Sequence, residues 1–470
     1  MSTVFLMAFW GFLCVYGVLL VWLTPRASSA EGFFNGMVNG RAVSMPMLTL
    51  SVFISWIFAK SITNAANLGA SYGLVGGLAY ATWWLSIPVA GVVILYLRRR
   101  FAATGLVAFL MQRYGRAAAL AFSLAILVRL YNEIWSNTAV VGGYFGAPGS
   151  TSFIAAALAF TGFTLVYSLK GGMRGSLFTD AIQSALFVVL LGLVMFWVLP
   201  QTSTNETPLL HAGEWTLAGG VDLMLVAMLQ VFSYPFHDPV LTDRGFLNRE
   251  RDMLRAFIIA GVAGFLAIAL FSLVGVQAYV EGIETHGNAP AAVAALLGSG
   301  TLLLMSMLMI AAAGSTLDST FASLSASLAR DIPALAERLP SARQWRNGAI
   351  VMVVFAVLGN LPMLAGTDIL KATTISGTMV MGLAPVFILA RYSPGAASFH
   401  LAFWPGMAFG LLHAFAALPE WMAIGEGKYA LLLGANAWGL LVCCVGFFLP
   451  KLWQTGSAQA SLPAVTVRQE

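Results

Sequence analysis

The sequence predicts an all-α polytopic membrane protein. Three observations predict it. Of 470 residues, 59% are hydrophobic and 9% charged, where a soluble globular chain carries about a quarter charged residues. A bilayer core of roughly 30 Å needs about 20 mostly apolar residues per helix, and the chain supplies about thirteen such stretches with short connectors. Finally, 20 of the 24 Lys and Arg fall in alternate connectors, as the cytoplasmic excess of basic residues requires. A cytosolic enzyme and a disordered chain are excluded. Cys14, Cys443 and Cys444 lie in apolar runs, which suits neither a disulfide scaffold nor a zinc module.

The spans run at about 3–24, 44–71, 73–97, 117–146, 151–168, 176–199 and 219–242, then 253–280, 300–329, 346–365, 367–390, 397–417 and 428–449. The first has no basic residue before it and Arg26 after it, so it reads as an uncleaved anchor with its N-terminus outside rather than a secretory signal. Inner connectors then hold, among others, Arg41, Arg98, Arg99, Arg100, Arg244, Arg249, Arg251, Arg255, Arg338 and Arg343. The C-terminus is expected in the cytoplasm, with Arg468 on a mobile polar tail, and the location is the cell (inner) membrane. The net charge of +5 is a membrane-edge charge and needs no nucleic acid. Four units follow: 1–43, an extra N-terminal span with its inner loop; 44–199, the first repeat; 200–392, the second, inverted repeat; and 393–470, two C-terminal spans and a tail.

Two spans break their pattern at matching places. The second places Lys60, Ser61, Thr63, Asn64 and Asn67 at membrane depth. The seventh reads Ser233-Tyr234-Pro235-Phe236-His237-Asp238-Pro239, and each proline removes a helix hydrogen bond. Irregular backbone survives in a bilayer only where protein or a cavity covers it, and paired interruptions in two halves point to the central site of a secondary transporter. The ninth span adds a small, hydroxyl-bearing face of Ala312, Ser315, Ser319, Ala322 and Ser323 with Asp318 nearly on it. Small residues let helices approach closely. An ionised Asp at the centre of a span costs about 2.5–3.5 kcal/mol, which a cation held by oxygens would offset.

At these residues the chain resembles the sodium:solute symporter family. Three patterns carry the resemblance: Ala312-x-x-Ser315-Thr316 followed by Ser323, Ser325 and Asp331-Ile332; Gly171-Gly172-x-Arg174-x5-Asp180-x2-Gln183; and Pro239-x4-Arg244-x-Phe246. The second span, with Ala59, Ile62, Asn67, Tyr72 and Gly73, is most similar to the urea-transporter branch. The resemblance implies a leucine-transporter-type 5+5 inverted repeat with extra terminal helices. It implies a principal sodium site made by the carbonyls of Ala59, Ile62 and Ala312 and the hydroxyls of Ser315 and Thr316. A second cation site, present in some members, would use Asp180, Ser315, Asp318 and Ser319.

Lys60 adjoins Ala59, and three readings stand. Its ammonium pairs with Asp318 or Asp180 in place of sodium, or meets an anionic group of the solute, or pairs structurally away from any ion. Arg129 and Glu133, four residues apart, read as a neutralised pair. Ser61, Asn64, Asn67, Asn132, Trp135, Tyr234, His237, Asp238 and Thr374 are the other solute-binding candidates, with a hydrogen-bonded kink as the alternative for His237 and Asp238. Lys371 reads as a snorkelling residue. No catalytic motif is present, so the expectation is a non-enzyme: a sodium-coupled symporter of a small polar solute (urea, an amino acid or a carboxylate) in the lipid bilayer. The alternatives are proton-coupled or sodium-independent transport using Lys60, or a symporter-like membrane sensor.

Overall fold

The computed structural model describes residues 3–37, 42–198, 209–336, 344–365 and 369–460. Arg41, Arg338, Arg343 and Arg468 of the predicted basic segments lie outside the described residues. In chain order the helices are α1 (Thr3–Leu23), α2 (Ala30–Asn35), α3 (Met45–Ser55), α4 (Ala59–Ala81), α5 (Ser86–Phe101), α6 (Leu106–Tyr114), α7 (Arg116–Gly143) and α8 (Thr151–Val198). Next come α9 (Asp222–Gln230), α10 (Pro239–Thr242), α11 (Glu250–Glu281), α12 (Ala289–Leu296), α13 (Ser299–Ala326) and α14 (Ile332–Leu335). The last are α15 (Gln344–Leu358), α16 (Ile369–Met379), α17 (Leu383–Ile388), α18 (Ala396–Ala414) and α19 (Ala430–Ala460). Among the described residues there is no strand.

Large apolar side chains such as Trp22, Phe196, Trp197, Leu266 and Val445 face outward. A soluble protein seldom exposes so continuous an apolar surface; in a bilayer it is the expected one. The chain is a multi-pass membrane protein. Eight helices among the described residues are long and apolar enough to cross by themselves, so the thirteen predicted stretches are not thirteen unbroken helices.

Two glycines explain part of the difference. α8 has 48 residues, about 72 Å if straight, more than twice a bilayer core. Gly172, at φ 51° and ψ −142°, breaks it between Lys170 and Arg174. A side chain disfavours that left-handed region and glycine does not. Gly73, at φ 63°, does the same in α4, and the freed amide of Leu74 finds the Ala212 carbonyl at 2.9 Å.

Both predicted interruptions are present. α3 stops at Ser55, residues 56–58 are not helical, and α4 starts at Ala59. α9 stops at Gln230, a tight turn covers Tyr234–His237, and Pro239 opens the single turn of α10. A third break, at residues 380–382 between α16 and α17, was not expected, although Gly382 lies in it and Pro385 in the first turn after it. α4 lies along α11, α8 along α13 and α18 along α19, while α7 packs against α4, α8 and α13.

Candidate functional site

Four charged residues meet where the two breaks face α7. Lys60, at the start of α4, donates from Nζ to Glu133 Oε1 at 2.6 Å. Glu133 Oε1 also pairs with Arg129 Nη1, one helical turn away, and Glu133 Oε2 accepts from Asn137 Nδ2 at 3.1 Å. Arg129 Nη2 reaches Asp238 Oδ2 at 3.1 Å, and Asp238 Oδ1 caps α10 through the Val240 amide at 3.0 Å. All four residues are at most 1% exposed, so any unpaired charge among them would carry a large desolvation penalty. Two cations and two anions balance it. The Arg129 guanidinium also lies 5.4 Å from the Phe58 and Tyr234 ring centroids, a cation–π arrangement that joins both broken segments. The Arg129–Glu133 pair is therefore as expected but belongs to a larger chain. Lys60 pairs with Glu133, not with Asp318 or Asp180.

A second buried cluster joins α3, α8, α13 and the turn after α10. Asp180 on α8 accepts from Ser315 Oγ (2.5 Å) and Ser51 Oγ (2.5 Å). Its other partner is Arg244, which the charge pattern assigned to a cytoplasmic connector and which is fully buried. Arg244 Nη2 donates to Asp180 Oδ2 (2.9 Å) and Ser319 Oγ (2.8 Å), and Nε to Ser51 Oγ (2.7 Å). Two residues of the expected second cation site, Asp180 and Ser319, thus bond a guanidinium. Asp318 has no basic partner among the described residues; it accepts from Thr179 Oγ1 (2.7 Å), Ser176 Oγ (2.9 Å) and Ser319 Oγ (3.3 Å). This cluster carries one acid more than base.

The five residues of the predicted principal sodium site are fully buried on α4 and α13, which touch. Ser315 gives its proton to Asp180, and Thr316 Oγ1 donates to the Ala312 carbonyl at 3.2 Å; hydroxyl lone pairs remain for a cation. The carbonyls are displaced from expectation. Ala59 and Ile62 lie inside α4, and the Ala59 carbonyl accepts from Thr63 Oγ1 at 3.0 Å. The unwound backbone is that of residues 56–58. Polarity marked the helix after the break, whereas the break itself is aromatic: Trp56 packs against Phe58, Trp84 and Tyr234.

The solute candidates divide. Ser61 and Asn64 share the Tyr80 hydroxyl, which donates to Ser61 Oγ (3.2 Å) and accepts from Asn64 Nδ2 (3.3 Å). Tyr234 and Asp238 stand at the Arg129 guanidinium. Asn67 instead holds the loop before α12, donating to the Gly287 carbonyl (2.7 Å) and accepting from the Ala289 amide (2.8 Å). Asn132, Trp135 and His237 line a separate groove against α16 and α18. Thr374 donates to the Leu370 carbonyl one turn back at 3.2 Å. Sequence reasoning missed Gln230 at the end of α9, which accepts from Trp83 Nε1 (3.0 Å) and donates to Asn436 Oδ1 (3.0 Å); a glutamine just before a break was the available signal. On the side of Arg98 and Arg249, a cavity of about 620 Å³ is lined by Asp243, Arg330 and Asp331.

With this geometry the comparisons can be placed. No protein-family model matches the chain. It is 26% identical over 207 residues to the urea-proton symporter DUR3 of Oryza sativa subsp. japonica, covering 43% of this chain and 28% of that protein. It is 28% identical over 196 residues to sodium/glucose cotransporter 2 of Rattus norvegicus, covering 38% and 27%. The matched segments thus span little more than a quarter of these relatives. Among solved structures, the substrate-bound outward-open state of a Na+-coupled sialic acid symporter superposes with TM-score 0.73 at 16% identity over all of both chains. MhsT in complex with L-phenylalanine gives 0.54 at 16% identity, over 91% of this chain and 99% of that one. The resemblance to the sodium:solute symporters holds. The fold is the leucine-transporter type that these structures share.

Proposed function

We propose that the chain is a secondary active transporter of the inner membrane, N-terminus outside and C-terminus inside, that symports a small polar solute with sodium by alternating access. The observation that carries this reading is the convergence of both interrupted helices on α7 through one chain of four buried charges. Such a meeting point at membrane depth is where transporters of this architecture bind their cargo. Sodium would bridge the carbonyls of Trp56 and Ile57 in the break, just before the expected Ala59, and the hydroxyls of Ser315 and Thr316. The solute would meet Ser61, Asn64, Tyr80 and Tyr234. Curated relatives include a urea-proton symporter and a sodium/glucose cotransporter, both carriers of small polar solutes. An ion favours only the state that binds it better, so its bridging of α4 and α13 would set which face is open.

The test is uptake into proteoliposomes under an inward sodium gradient, with urea, amino acids and carboxylates as candidates. Ser315→Ala combined with Thr316→Ala should abolish sodium stimulation while leaving insertion and size-exclusion behaviour intact. Full stimulation in that variant refutes the site. Asp318 supports a second reading, proton coupling, because only hydroxyls attend its carboxylate. Asp318→Asn should then remove uptake driven by a pH gradient and spare uptake driven by sodium.

A further inference from the structure

Gln230 is the last residue of α9 before the second break, and its amide is fully engaged. Oε1 accepts from Trp83 Nε1 at 3.0 Å; Nε2 donates to Asn436 Oδ1 at 3.0 Å, with Thr378 Oγ1 at 3.5 Å. Asn436 donates from Nδ2 to Thr378 Oγ1 (3.1 Å) and to the Leu432 carbonyl (2.9 Å), and Thr378 donates to the Thr374 carbonyl (3.0 Å). Gln230, Asn436 and Thr378 are at most 1% exposed, and each of their side-chain polar atoms has a partner. A buried polar network satisfied in this way specifies a single arrangement of the elements it joins.

Those elements are two interrupted helices and the last span. α9 ends at one break, α16 ends at the break of residues 380–382, and α19 follows the expected second repeat. α16 passes directly over the amide: a Cβ at Gly377 would collide with Gln230 Oε1. Trp83, in the tight turn after α4, carries the network inward. Its ring lies 5.3 Å from that of Tyr80, whose hydroxyl serves Ser61 and Asn64. Interhelical hydrogen bonds in a membrane add little stability, so what this network supplies is the geometry it fixes.

We propose that Asn436 is a positioning residue for the solute centre: from the last span it holds the Gln230 amide between the breaks of α9 and α16 and, through Trp83, sets the Tyr80 hydroxyl against Ser61 and Asn64. The inference rests on the symport reading for what is positioned, while the coupling itself is read without flux.

Asn436→Leu roughly keeps the volume and takes the 3.0 Å acceptor from Gln230 Nε2. In the full chain in nanodiscs, backbone hydrogen exchange of peptides covering 78–85 and 231–238 should quicken about tenfold, with peptides from α8 and α13 as in the parent. Trp438→Leu, on the exposed face of the same helix, should alter neither. Gln230→Met should quicken 78–85 too, and Asn436→Leu/Gln230→Met no more than the stronger single variant, because both act through one pair. Unchanged exchange at 78–85 in Asn436→Leu, an equal rise in α8 and α13, or effects that multiply in the double variant would each overturn the proposal. Sodium-driven uptake of radiolabelled urea adds a second readout: Asn436→Leu should raise KM about threefold and keep the maximal rate, and an unchanged KM also overturns the proposal. A parent that takes up no urea counts against the symport reading for that solute, and the exchange result still decides the coupling.

Discussion

Glu133 is the pivot of the buried charge chain, and removing it should cost more than removing either neighbour alone suggests. It accepts from Lys60, Arg129 and Asn137, and it is the sole carboxylate within ion-pair distance of Lys60 among the described residues. Glu133→Gln therefore leaves a buried ammonium with no acid, while Arg129 keeps Asp238. Breaking a buried pair in this way costs about 3–5 kcal/mol. Lys60→Met removes the ammonium and fills its volume; Glu133 retains Arg129, so the loss is nearer one charge-assisted hydrogen bond, about 1.5–3 kcal/mol. In the double variant Lys60→Met/Glu133→Gln both orphaned charges are gone and Arg129–Asp238 remains balanced. It should be more stable than Glu133→Gln alone, with a coupling of about 2 kcal/mol, inside the usual range for contacting residues. That is roughly a 30-fold change in the folded-to-unfolded ratio. Equilibrium unfolding in mixed micelles, followed by tryptophan fluorescence, reads all four corners of the cycle. Additive single effects, or a Glu133→Gln variant no worse than Lys60→Met, would refute the pairing.

Two further outcomes follow from buried and half-buried charge. Arg244→Gln leaves Asp180 and Asp318 as two acids among hydroxyls; its stability in sodium-free buffer should fall by about 3–5 kcal/mol. Sodium chloride should then restore more of that loss than choline chloride, and equal effects of the two salts would end the view of Arg244 as a built-in cation. Asp243, half-buried in the 620 Å³ cavity, has its carboxyl pushed by burial up to about 7, with Arg330 opposing. A folded-state value above the unfolded one of about 3.9 means that the folded state holds the proton more tightly. Stability is then highest below pH 4, falls between about pH 4 and 7, and levels off above. Melting temperature should decline from pH 5 to 7.5, and Asp243→Asn should flatten the slope; an unaltered slope counts against it.

The spans were legible because an apolar run of 20 residues has one physical use, and the second break because Pro235 and Pro239 forbid a continuous helix there. The first break was located by its polar residues and lies just before them. Lys60 and Asn64 sit on a helix, and the unwound residues 56–58 are apolar because aromatic partners cover them. No local signal distinguishes such a break from a buried helix. The position of Arg244 was misread for a related reason. Charge counting places an arginine by its distance from an apolar run, but α10 is a single turn, and it returns Arg244 to the interior. The partner of Lys60 was within reach of sequence reasoning: opposite charges inside two spans cost too much to stay apart, and Glu133 was an acid inside the fourth span.

The two clusters differ in balance, and that difference bears on coupling. In the Lys60–Glu133–Arg129–Asp238 chain the charges cancel, so a solute at the proposed site would meet no net charge there. The Asp180–Arg244–Asp318 cluster has one acid more than base, so a compensating proton or cation would be taken up on α8 and α13 rather than at the proposed solute centre. Ser315 would connect the two: its proton goes to Asp180, and its lone pairs remain for a cation. In the proposed cycle, a cation held by Ser315 and the unwound backbone would strengthen that serine as a donor to Asp180 and tighten Asp180 against Arg244. The segment after the second break carries Arg244, so ion occupancy at one interrupted helix would be felt at the other. If coupling runs along this route, Ser315→Ala should lose solute affinity's dependence on sodium, whereas Thr316→Ala, whose hydroxyl donates only within its own helix, should weaken sodium binding and leave the dependence in place.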